Sequence, residues 1–131
     1  MTKGFELALS GGVDAARDAR RAIADNYPGL PVPVRDDLSL LVTELVTNAV
    51  RHGGAAADRP LRLACWRRNG VVRVEVIDAG TEFDRPPPPR NGDSSGGWGL
   101  FFVDRIAESW GVCPDTTGTR VWFEVPAGAP P

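Results

Sequence analysis

The hydrophobic positions change period several times along the chain, and each change marks an element. Phe5, Leu7 and Leu9 alternate with Glu6 and Ala8, the period of a short half-buried strand. Val13, Ala16, Ala19, Ile23 and Tyr27 then recur at helical spacing, with Ser10 as candidate N-cap and Pro28-Gly29 as the stop. The other side of that helix, with Arg17, Arg20, Arg21 and Asp25, reads as a solvated face. After a stiff Pro31-Val32-Pro33 connection, a second helix is expected from about Val34 to His52, ended by Gly53-Gly54. At about 100° per residue, Leu38, Leu41, Val42, Leu45, Val46 and Ala49 fill one arc of this helix. Glu44 and Asn48 lie beside that arc, one turn apart on the same face, with His52 a further turn along.

Beyond this helix the period returns to two. Leu61, Leu63 and Cys65 alternate with Arg62, Ala64 and Trp66, and Val72, Val74 and Val76 follow after Asn69-Gly70, a strong hairpin signal. The second strand ends at Asp78-Ala79-Gly80. Periodicity is lost across Thr81 to Ser95, which includes four consecutive prolines, Pro86 to Pro89, so 81–96 reads as a lid-like loop. A third helix is expected from Leu100 to about Trp110, with Leu100, Val103, Ile106 and Ala107 as its buried stripe. Two more strands contain Val112-Cys113 and Thr119 to Val125, joined by a turn through Asp115 to Gly118, and 127–131 reads as a frayed tail.

This order implies a single α+β domain over 1–131: a two-layer sandwich of a mixed, mostly antiparallel sheet of about five strands with three helices on one face. Strand alternation puts Trp66, Arg73, Glu75, Arg120, Trp122 and Glu124 on the opposite face, a candidate surface for a partner or a second copy. A net charge of −2 with scattered Lys and Arg argues against nucleic acid. Cys65 and Cys113 have neither disulfide-framework nor metal-site spacing and read as small buried residues in strands. No signal-like amino terminus and no run of about 18 apolar residues is present, so a soluble cytoplasmic protein is expected, with no membrane partner.

Four features carry candidate chemistry. A glycine-rich helix start, Gly97-Trp98-Gly99-Leu100, offers free backbone N–H groups and the positive helix end to phosphate. Asp78 at a strand end can accept from an exocyclic amine such as that of adenine, with Gly80 allowing the base to approach. The Asn48 oxygen can ligate Mg2+, which keeps waters and takes phosphate ligands, and Glu44 can accept a proton from an attacking hydroxyl. Thr119, after Gly118, opens the last strand. Singly these are weak signals; in this order, each at an element boundary, they are strong together.

In this arrangement the sequence resembles the GHKL ATPase superfamily (gyrase, heat-shock-90 chaperones, histidine kinases), and within it the bacterial anti-sigma-factor serine/threonine kinases of sporulation and stress responses. The resemblance runs from Phe5 to about Val125, and its most specific part is Glu44-Leu-Val-Thr-Asn48-Ala-Val-Arg-His52-Gly53. It implies Glu44 as general base, Asn48 as Mg2+ ligand, Asp78 and Gly80 at adenine, and Thr119 supporting the Asp78–adenine contact. It places Gly97, Gly99 and Leu100 in the phosphate-side box. It also implies transfer of the ATP γ-phosphoryl to a serine or threonine of an anti-anti-sigma antagonist and sequestration of a sigma factor, by a kinase homodimer.

Two departures bear on rate. Glu82 stands where many relatives have a second glycine, and Ser94-Ser95 where many have a basic residue, so Arg85 or Arg90 would have to reach in. The alternative is therefore a nucleotide-binding interaction module that regulates a partner without efficient transfer. His52, the only histidine, reads as a packed helix-end residue.

Overall fold

The alternation at Phe5 to Leu9 becomes the edge strand of a five-stranded sheet. The computed structural model describes residues 3–10, 12–52, 61–78, 101–115 and 118–127. Strands β1 (Lys3–Leu9), β2 (Leu61–Arg68), β3 (Val71–Asp78), β4 (Ser109–Asp115) and β5 (Gly118–Pro126) join in the order β1-β2-β3-β5-β4. All four pairings are antiparallel, so among the described residues the sheet has no parallel component. Three helices, α1 (Ala15–Asn26), α2 (Val32–His52) and α3 (Phe101–Ile106), contribute to one buried cluster with a single face of that sheet.

That face is the apolar set of each strand. Leu61, Leu63, Cys65, Val72, Val74 and Phe123 are all fully buried beneath the α2 arc of Leu38, Leu41, Val42, Leu45, Val46 and Ala49. The β2–β3 hairpin closes as its Asn-Gly pair requires: Asn69 at φ 55° and Gly70 at φ 78° are both left-handed, and Arg68 pairs with Val71 on either side. A turn of this hand matches the twist of the two strands.

Four element boundaries differ from the periodicity. Helix α1 starts at Ala15, with Asp14 at its N-cap position, because Gly12 at φ 134° breaks the chain's course after Ser10; Val13 is 97% exposed and Ala15 takes the core position. Helix α2 starts at Val32. Its first i→i−4 bond runs from the Arg35 N–H to the Pro31 carbonyl at 3.0 Å, and Pro33 sits in the first turn, where its missing N–H costs nothing. Helix α3 stops at Ile106, because Glu108 donates to the Glu124 carbonyl at 2.8 Å and Ser109 to Val112 pair with β5. Trp110 therefore belongs to β4, where its indole N–H donates to Asp104 at 2.9 Å. Ala127, assigned by sequence to a frayed tail, is fully buried and donates to the Gly70 carbonyl at 2.7 Å.

The second sheet face is less open than strand alternation implies. Arg73 lies 4.0 Å from the Trp122 ring centroid and 5.7 Å from that of Trp66, and donates to Glu75 and Glu124, each at 2.9 Å. Glu75 is only 6% exposed, with Arg120 3.6 Å away on its other oxygen. Trp122 lies against Gly111 on the neighbouring strand, where a Cβ would meet its ring nitrogen at 2.8 Å. The tryptophans are thus half-buried by their own face.

Two outcomes are expected. Phe123→Ala removes the largest fully buried side chain among the described residues and should lower the unfolding free energy by about 3–5 kcal/mol in urea titration, with the fold retained by circular dichroism. Burial pushes the Cys65 thiol up to about 12, against an opposing hydrogen bond from Tyr27, so Cys65 should resist a thiol reagent in the native state and react only in denaturant. Because its folded pKa is raised, its contribution to stability is present below about pH 8.5, the ordinary thiol value, and is lost as pH rises towards 12. Native-state reaction of both thiols would contradict this packing.

Candidate nucleotide site

Helix α2 aims two polar residues from a helix otherwise anchored by its apolar arc. Glu44 is half-buried, and Asn48, one turn on, is 5% exposed among Leu45, Val46 and Ala49. The Asn48 amide nitrogen is buried with no hydrogen-bond partner among the described residues. Leaving such a group unsatisfied costs about 1–3 kcal/mol, so a helix that keeps an asparagine there rather than another leucine holds a group suited to an incoming ligand.

The sheet supplies the second wall. Asp78 is the last residue of β3 and shares the helix-facing side of that strand with Val72, Val74 and Val76. Its register partner on β5 is Thr119, and its partner on β2 is Leu61. Asp78 is 3% and Thr119 8% exposed. A carboxylate this buried is costly unless hydrogen-bonded, and a neighbouring hydroxyl is a natural second donor beside a ligand amine. The ladder therefore brings together Asp78 and Thr119, 41 positions apart in the chain. Leu61, Val76 and Val121, which sequence reading treated only as core, form the apolar surroundings of the pair. Their place beside it follows from strand register, which no local signal carries.

Among the described residues no group of three or more His, Cys, Asp or Glu side chains is gathered for a metal ion. The Asn48 oxygen suits a Mg2+ ion that takes its remaining ligands from phosphate and water. Gly80, Gly97, Gly99 and Leu100, the 81–96 loop with Arg85 and Arg90, and the His52 side chain lie outside the described residues.

Comparison with known proteins agrees with this fold. The family model described as histidine kinase-like ATPase domain matches residues 8–125. Among solved structures, the chain is similar to the RsbU and RsbW domains of Rv1364c from Mycobacterium tuberculosis, with a TM-score of 0.71 and 22% identity. That match covers 98% of this chain and 33% of the other, so the chain spans about a third of its length, and the likeness is one of fold. No curated protein gives a significant sequence match. With the family match spanning residues 8–125, the chain belongs to the histidine kinase-like ATPase domain family.

Proposed function

We propose that this protein is a cytoplasmic ATP-dependent serine/threonine kinase of the anti-sigma type, which phosphorylates an anti-anti-sigma antagonist and sequesters a sigma factor. The observation that carries the nucleotide part is the buried rung of Asp78 with Thr119 at the end of β3, with Asn48 buried one helical turn from Glu44 on α2. Asn48 holds Mg2+ through its side-chain oxygen. Asp78 accepts from the adenine amine, and Thr119 opposite it supports that contact. Gly80 lets the base lie close, while Gly97, Gly99 and Leu100 present backbone N–H groups to phosphate. Mg2+-ATP, when bound, supplies an activated γ-phosphoryl group. Glu44 takes the proton from the attacking serine or threonine hydroxyl, the role its half-buried carboxylate suits.

The kinase acts as a homodimer in this reading. The second sheet face, where Trp66 and Trp122 are half-buried beside Arg73, is the candidate surface for the second copy. No helix among the described residues is long and apolar enough to cross a membrane.

A second reading, a nucleotide-binding module that regulates its partner without efficient transfer, is favoured by Glu82 and Ser94-Ser95 at positions where a glycine and a cation would assist.

Titration calorimetry with and without Mg2+ is the first test. Saturable, Mg2+-dependent ATP binding is expected, and no binding at millimolar ATP would refute both readings. Glu44→Gln should keep ATP affinity within about twofold and lower labelled phosphoryl transfer to a panel of anti-anti-sigma proteins by about 100-fold or more. Undiminished transfer would show that another group is the base. Asp78→Asn should weaken ATP binding about tenfold or more with the fold intact, and unchanged affinity would sink the adenine assignment.

A further inference from the structure

Helices α1 and α2 form a hairpin, and a groove of about 470 Å³ runs between them. Arg17 and Ala24 line it from α1 and Tyr27 from the residue just past its end; Val32, Ser39 and Val42 line it from α2. Both sets fall at i, i+7 and i+10, so the groove follows the helix hairpin for about three turns of α2, roughly 15 Å. Its floor is apolar, with Ile23, Leu30 and Leu38 at 5%, 4% and 1% exposure. Val32, an apolar residue 62% exposed, stands on its wall.

The charge on the rim is one-sided. Arg17, Arg20, Arg21 and Arg35 line the groove against a single carboxylate, Asp36, in a chain whose net charge is −2. Two of the arginines are already engaged: Arg17 lies 3.5 Å from Asp14 and 3.8 Å from Asp18, and Arg20 donates to the Thr43 hydroxyl at 2.9 Å. Arg21 and Arg35 are exposed and form no ion pair with any described residue. The first turn of α2 carries no acidic residue to offset its positive end.

We propose that this groove docks an acidic amphipathic helix of a partner protein, a proposal that rests on reading the chain as a partner-regulating domain. A floor of this length between two helices receives apolar side chains at i, i+3 or i+4, and i+7 from a third helix of about three turns. Asp and Glu flanking that stripe meet Arg21 and Arg35, which confer orientation and a salt-sensitive encounter rate. The groove uses none of Glu44, Asn48, Asp78 or Thr119, so docking here leaves the nucleotide site free.

The test is selection of a displayed library of random 14-residue peptides on the full chain, followed by anisotropy titration of the enriched sequences. Enriched peptides should carry Asp or Glu beside apolar residues at helical spacing. They should bind about tenfold or more weakly to an R21E/R35E double variant and in high salt, while that variant keeps its melting temperature and ATP affinity. Arg35→Glu alone should give a smaller loss in the same direction, and it serves if the double variant does not fold. No enrichment, enrichment of basic or non-helical patterns, or affinity unaffected by charge reversal would overturn the proposal. Self-association of the free chain that disappears in the double variant would do so too, by making the occupant a second copy. Because ATP is titrated in parallel, peptide binding without ATP binding would refute the nucleotide reading alone, and the reverse would refute the docking groove alone.

Discussion

The packing of the α2 apolar stripe on the sheet is the constraint on which the rest depends. Six residues of that stripe, from Leu38 to Ala49, are at most 5% exposed, and they meet strands whose facing side chains are equally buried. A helix pinned over three turns cannot rotate, so the position of every other side chain on it is set. Asn48 is carried into the buried layer by that constraint and Glu44 to its margin. The burial of an asparagine without a partner for its amide among the described residues is tolerable because the hydrophobic contacts around it are many and the cost is small beside them.

The sheet contributes through register. A one-residue slip of β5 against β3 would turn Thr119 away from Asp78 and expose Phe123, so the same alternation that buries the core also matches the two polar residues. The left-handed Asn69-Gly70 turn sets the register between β2 and β3 at the far end of that ladder. Core and site are consequently one design problem, in which the candidate site residues occupy the last helix-facing rung of a ladder whose other helix-facing rungs, Val72–Val125, Val74–Phe123 and Val76–Val121, are apolar.

The second sheet face and the α1–α2 groove use arginine in contrasting ways. Arg73 is held between two indoles and two carboxylates, its charge satisfied within the fold. Arg21 and Arg35 are exposed beside an apolar floor and form no ion pair with any described residue. Composition treats all three alike, and their surroundings separate them.

What the sequence determined by itself is what local rules control. The α2 arc follows from a period of 3.6, the β2–β3 hairpin from the left-handed preference of Asn-Gly, and the Glu44/Asn48 pair from spacing along one helix. The sequence also put Asp78 at the end of one strand and Thr119 at the start of the last, where the structure has them. Tertiary structure decided where α3 stops, since Glu108 and Ser109 are drawn into pairing with β5, and it decided the burial of Ala127 against Gly70. It also decided the stacking of Trp66 and Trp122 on Arg73 and the gathering of arginines from two helices around one groove. Each of these joins residues distant in the chain, and such contacts form by packing between elements, which no window of neighbouring residues encodes.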